Sequence, residues 1–308
     1  MIKIYYKAIT DKNLKKLANF RVGSWVYVED PDKKDLDYLE KNFSFDPSLL
    51  QDALDPFEVP RVEVDKEITY IYATVPNSED GIKQIINTPV LIAIGSDFLV
   101  TVSRKSLPFL QKFVKGKVDF TTTQKTRLFF QIFSEINAAY DNFLKNIGRN
   151  IRRIIINLEK INNEDIVKFV TFEATLNEFL SDLVPINASL QKLHTGKLLK
   201  LYEEDKDLVE DLFLSSGQLI DISNSNLRSI VNIREAYSTL MTNNLNKVIK
   251  LLTSLTVIFT IPTIIGSLYG MNVRLPYSDS PHAFYGILVV IALISSFLLA
   301  IFARNRWL

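Results

Sequence analysis

Residues 251–273 read LLTSLTVIFTIPTIIGSLYGMNV, and residues 280–303 read SPHAFYGILVVIALISSFLLAIFA. Neither run contains an Asp, Glu, Lys or Arg over its 23 and 24 residues. About 20 apolar residues carry a helix across a bilayer. Two such runs with a short connection predict a membrane hairpin in residues 248–308, with spans near 248–268 and 283–303. Tyr269-Gly270-Met271-Asn272 then falls where the first span leaves the membrane on its far side.

The flanks predict an orientation. Lys247 and Lys250 precede the first span, Arg304 and Arg306 follow the second, and the connection sets one Arg (Arg274) against one Asp (Asp279). Basic residues accumulate on the cytoplasmic side, so both termini are expected in the cytoplasm of a multi-pass protein of the plasma or inner membrane. Met1–Tyr6 does not read as a signal peptide, having no basic segment ahead of a long apolar core.

Composition excludes several classes. A formal net charge of +1 and no basic stripe with interleaved aromatics argue against a nucleic-acid partner. With no cysteine there is no thiolate metal site. The two histidines, His194 and His282, leave no His-rich transition-metal site. Glycine is only 10 of 308 residues and no Walker-type phosphate loop occurs, so an ATP-hydrolysing or other enzymatic role is not expected.

The 250 residues ahead of the first run suffice for one or two folded domains. Residues 1–122 read as α/β, with strands expected at Ile2–Ile9, Trp25–Val28, Ile68–Val75, Val90–Ile94 and Phe98–Ser103. Gly95-Ser96-Asp97 signals a hairpin between the last two. Short helices are expected at Asp35–Lys41 and at Asp46–Asp55, the latter opening with Pro47. Residues 123–247 read as helical, with candidates at Leu128–Lys160, Asp165–Lys192 and from about Leu201. In the third, Leu212, Leu219, Asn226, Ile233 and Leu240 recur every seven residues, with Ser215, Ile222, Tyr237 and Asn244 at intermediate positions. This seam runs without a breaker into the first span. A single helix from Glu203 to Leu268 would be about 100 Å long; the alternative is two helices joined near Gly217.

Within the first run Thr256, Thr260, Thr263 and Ser267 fall at intervals of 4, 3 and 4, on one helical face. Leu252, Ile249 and Asn246 extend that face backward, and Asn272 lies near its forward end. Such hydroxyls either pack helices together or line a water-filled path, which one helix per chain encloses only in a ring of subunits. A ring of Asn272 carboxamides offers donors and acceptors without charge, suited to Mg²⁺, which gives up its waters reluctantly. Leu252 would close such a path by dewetting. Pro262 leaves a carbonyl near Ile258 unpaired, which nearby threonine hydroxyls are expected to satisfy.

The Tyr269–Asn272 motif, the two terminal runs, Pro262–Leu268 and the Arg304–Leu308 tail resemble the CorA family of divalent-cation transporters. Leu50–Asp55 followed by Pro60–Glu63 is similar to that family's cytoplasmic signature. The resemblance implies a funnel-shaped homopentamer with an α/β/α cytoplasmic domain, a long stalk helix continuous with the first span, and a second span outside it. It implies Gly270, Met271 and Asn272 as the selectivity segment for hydrated Mg²⁺. It also implies Asn246, Ile249, Leu252, Thr256, Thr260, Thr263 and Ser267 as pore-facing positions. Relatives often carry Met at the position of Thr260, so the apolar gate is expected at Leu252 and Ile249. Regulatory Mg²⁺ between neighbouring cytoplasmic domains would involve Asp52 and Asp211, with Glu235 further along the stalk. Where relatives carry acidic residues after the asparagine, this chain offers only Asp279, opposed by Arg274.

The competing readings are transport of zinc, cobalt or nickel within the same family, and a membrane-anchored sensor or scaffold without transport. Absent cysteine and intramembrane carboxylates speak against a soft-metal site or proton relay in the spans.

Overall fold

The computed structural model describes residues 1–78, 85–156, 161–199, 201–273, 276 and 280–307. It divides into two compact units, Met1–Val231 and Asn232–Leu308.

The first unit is built on a seven-stranded sheet with strands β1 (Ile2–Tyr6), β2 (Lys15–Leu17), β3 (Ser24–Glu29), β4 (Arg61–Asp65), β5 (Ile68–Ser78), β6 (Ile85–Ile94) and β7 (Phe98–Ser103). The order is β2-β1-β3-β7-β6-β5-β4, and only β3 and β7 pair in parallel. The central strands are apolar along nearly their whole length because both faces are covered. On one face Val26, Val28, Tyr70, Tyr72, Leu91, Val100 and Val102 pack with Leu39, Phe43 and Leu50 of helices α1 (Lys33–Phe43) and α2 (Pro47–Asp52). Alternation along β3 turns Trp25 and Tyr27 to the other face. There Trp25 meets Phe113 of α3 (Pro108–Val114) and Phe120, and α4 (Lys125–Ile156) crosses β5, β6 and β7. Helix, sheet and helix layers result.

Local signals set the joints. Asp32 and Asp35 form a capping box at α1, and the Asp46 carboxylate caps α2 ahead of Pro47. The β6–β7 turn forms at Gly95-Ser96-Asp97 as expected. A Cβ on Gly95 would sit 2.4 Å from the Phe98 ring, so glycine is required there. Strand β1 stops at Tyr6, short of the expected Ile9, and β2, β4 and α3 were not anticipated. The two missed strands form the borders of the sheet. They are short and charged, as borders exposed to solvent tend to be, and so lack the Val, Ile and aromatic richness that marks buried strands.

Helix α5 (Asn163–His194) begins with a second capping box, Asn162 with Asp165. Helix α6 runs unbroken over 67 residues from Glu203 to Tyr269, passing Gly217 without interruption. At Gly217 an added Cβ would lie 3.4 Å from Asn187 Nδ2, so the small residue lets α5 approach. Asn137 of α4 donates to the Leu212 carbonyl (3.3 Å), and Asn187 of α5 donates to that of Phe213 (3.5 Å). The buried seam of this stretch comprises Leu212, Leu219 and Ile233 as expected, but its second row is Val209, Ser216, Ser223 and Ile230. The expected partners Ser215, Ile222 and Tyr237 are not buried, Ile222 being 37% exposed. A 4-then-3 spacing wins over 3-then-4 because serines at 216 and 223 leave room for close helix packing that Ile222 would block.

The second unit contains the remainder of α6 and helix α7 (Ala283–Arg304), both long and apolar enough to cross a membrane. On α6 Ser254 is buried, and Ile258, Ile261, Pro262 and Ile265 are half-buried. On α7 the half-buried residues are Ala283, Ile287, Ile291, Ser295, Leu298 and Phe302. Each set follows helical spacing, with Ile261 and Pro262 adjacent on α6, and forms one stripe. Near the Tyr269 end the two stripes share a cleft lined by Ile265 and Tyr269 of α6 and by Ala283, Gly286, Ile287 and Val290 of α7. Ser280 and His282 line the same cleft, so the hairpin faces are apolar with a few polar side chains among them.

Candidate functional site

Thr256, Thr260, Thr263 and Ser267 are exposed, with Leu252 and Ile249 continuing their row at 65% and 51% exposure. Taking 100° per residue, the centre of this row lies about 180° around α6 from the centre of the stripe that meets α7. The hydroxyls consequently take no part in packing within the chain. Thr256 Oγ1 donates to the Leu252 carbonyl (2.8 Å), Thr260 Oγ1 to that of Thr256 (2.7 Å) and Thr263 Oγ1 to that of Phe259 (2.8 Å). None of the three serves Ile258, against expectation, because the carbonyl freed by Pro262 belongs to a residue on the opposite face.

Helix α6 ends at Tyr269, and the motif closes it. The Gly270 amide donates to the carbonyls of Gly266 (3.0 Å) and Ser267 (3.2 Å), and the Met271 amide to that of Leu268 (3.3 Å). These bonds use carbonyls that the last turn would leave open. Asn272 follows directly, exposed, as do Met271 and Asn246. Arg274 and Asp279 lie outside the described residues.

Of the carboxylates, Asp52 ends α2 and is already engaged. Its Oδ2 lies 2.7 Å from Arg61 Nη2, and the same guanidinium pairs with Glu58 and Glu63 while resting 4.1 Å from the Tyr72 ring centroid. The two halves of the cytoplasmic signature, Leu50–Asp55 and Pro60–Glu63, thus meet through one arginine. Arg61 lies within that signature, and its position between Glu58 and Glu63 is the sequence signal for this role.

Asp211 is exposed on α6, beside a cavity between α6 and α4 that is also lined by Ser134, Asn137, Asp141 and Ser215. Asp141 is occupied by Lys145 at 2.6 Å. Glu235 is exposed on α6 in the second unit. Among the described residues no three His, Asp or Glu side chains come together to hold a metal ion. Among the described residues Asp52, Asp211 and Glu235 thus stand as single carboxylates.

A three-layered α/β/α domain with a 67-residue helix running into an apolar hairpin is the architecture of a membrane protein with a large soluble portion. A family model described as CorA-like Mg²⁺ transporter protein matches residues 21–304, and the chain belongs to that family. The cobalt/magnesium transport protein CorA of Methanocaldococcus jannaschii is 28% identical over 297 residues, 92% of this chain and 91% of that protein. The cobalt/magnesium transport protein CorA of Thermotoga maritima is 20% identical over 273 residues, 86% of this chain and 78% of that protein. The complete structure of the M. jannaschii CorA magnesium transporter matches with a TM-score of 0.87 at 25% identity, covering 100% of this chain and 99% of that one. The cytoplasmic domain of ZntB from Vibrio parahaemolyticus shares the fold at 9% identity, with a TM-score of 0.65 over 78% of this chain and 98% of that one.

Proposed function

We propose that the chain assembles as a homopentamer that passes hydrated Mg²⁺ through the plasma or inner membrane along a path lined by α6, with both termini in the cytoplasm. The observation that carries this reading is the hydroxyl row turned directly away from α7. With α7 on the outside, five copies of α6 would bring Asn246, Ile249, Leu252, Thr256, Thr260, Thr263 and Ser267 to a common axis. Gly270 and Met271 would close each helix and hold Asn272 at the outer mouth, where its carboxamides would bond the ion's water shell. Leu252 and Ile249 would form the apolar gate. The membrane potential supplies the drive, ~4.6 kcal/mol for two charges at 100 mV, so no catalytic step or organic cofactor is needed.

Asp52, Asp211 and Glu235 would bind regulatory Mg²⁺ across a subunit boundary, since no three acidic or histidine side chains converge among the described residues of one chain. Bound metal would favour the closed assembly, and its loss would shift the population toward open.

Mg²⁺ uptake into vesicles holding purified protein tests the path. Asn272→Ala should abolish uptake while the assembled mass stays unchanged. Normal flux in that variant would remove Asn272 from the ion's route.

A further inference from the structure

The row of α6 has to tell a cation from an anion without a charged side chain, since residues 251–273 contain none. The nearest lysines do not help. By helix geometry Lys250 and Lys247 sit about 120° and 180° around α6 from Thr256. A carboxamide carries a donor and an acceptor and so has no fixed preference for the sign of an ion; this applies to Asn272 and Asn246 alike. Ile249 and Leu252 are apolar. The hydroxyls remain.

Each of Thr256, Thr260 and Thr263 has given its only proton to a carbonyl of its own helix, at 2.7–2.8 Å. What such an oxygen can still offer outward is lone pairs. We propose that these three threonines act as charge-sign filters: with their protons committed inward, they present acceptors alone. The water shell of a cation points its hydrogens outward and finds partners there. Each water of an anion's shell turns one hydrogen inward, so the shell presents half as many donors outward, and its outward lone pairs find no partner. Successive levels lie about 6 Å and 4.5 Å apart along the helix, so a hydrated ion would pass from one acceptor level to the next. This rests on the pore reading above and adds to it the property that sets selectivity for charge.

The test compares Thr260→Val, which keeps the shape and removes the oxygen, with Thr260→Ser, which keeps the oxygen. Serine on this helix commits its proton in the same way, as Ser254 Oγ does to the Lys250 carbonyl at 2.7 Å. Vesicles loaded with a Mg²⁺ indicator report cation flux, and reversal potentials in MgCl₂ gradients report discrimination against chloride. Thr260→Val is expected to lower Mg²⁺ flux about five- to tenfold, the weight of one neutral hydrogen bond, and to weaken discrimination against chloride. Thr260→Ser should recover most of both, with the assembled mass the same in all three proteins. The chain has no cysteine, so Thr260→Cys reports by reaction with a water-soluble thiol reagent whether position 260 faces the path. Modification at 260 together with normal flux and discrimination in Thr260→Val overturns the filter and leaves the pore standing. No modification at 260, with rapid modification of Ile258→Cys instead, overturns both.

Discussion

Replacing Arg61 by alanine should uncouple the two halves of the cytoplasmic signature and expose Asp52 to cations. Side-chain exposures are 29% for Arg61, 12% for Glu58, and 42% for both Asp52 and Glu63. The pairs with Asp52 and Glu63 are well solvated, so each contributes at most ~1 kcal/mol. Glu58 is better buried, and losing its partner costs ~1–2 kcal/mol. The guanidinium over the Tyr72 ring contributes a further ~0.5–1 kcal/mol. A loss of about 3 kcal/mol is expected, which lowers the melting temperature of a unit this size by about 6–12 °C. Asp52, Glu58 and Glu63 would then each lack a counter-charge. Mg²⁺ should take the place of the guanidinium, so the melting temperature of the variant should climb more steeply with added Mg²⁺ than that of the wild type. Thermal melts of the full-length protein across a Mg²⁺ series measure both effects. A variant that melts within about 1 °C of wild type, or with the same Mg²⁺ response, refutes the view that Arg61 neutralises this cluster.

A second expectation concerns pH. Asp182 of α5 accepts from Tyr140 (3.4 Å) and Asn87, and burial pushes its carboxyl above the ordinary range although Thr74, Asn87 and Tyr140 pull it back. Glu178, one turn earlier, is raised by burial and by the charge of Asp182. A carboxyl raised on folding stabilises fully below its unfolded pKa of about 3.9, and that contribution is lost as pH climbs through the folded value. Asp182→Asn should therefore melt above wild type at alkaline pH and flatten the profile; an unchanged profile would count against it. Asp52→Ala with Asp211→Ala should raise Mg²⁺ uptake when internal Mg²⁺ is high, and unaltered inhibition would dismiss these carboxylates as the sensor. Ser216→Leu should overfill the α6 seam and destabilise the protein by about 1–3 kcal/mol in chemical denaturation, whereas Ile222→Leu, outside the seam, should change little.

Strands β3, β5, β6 and β7 were legible because sequences buried on both faces spell themselves out in Val, Ile, Leu and aromatics. Strands β2 and β4 were not, since a border strand is chosen for charge. Along α6 the seven-residue row of Leu212, Leu219 and Ile233 could be read directly, but its partner row was mistaken because Ile222 and Tyr237 look like core residues while Ser216 and Ser223 do not. Polarity alone misleads where two helices come so close that only small side chains fit. The threonine row was visible as a pattern, yet its placement opposite α7 depended on which aliphatics of α6 the second helix covers. Asp52 could be singled out by resemblance, while its capture by Arg61 depends on the chain turning back from α2 into β4.

The borders of the sheet carry one more implication. Strand β4 pairs with β5 only as far as Tyr72, and the free rim beyond it contains Pro76, which has no amide hydrogen to lend. At the other rim β2 is three residues long and begins with two lysines. Both features discourage strand-to-strand continuation between copies, the route by which sheets polymerise into fibrils.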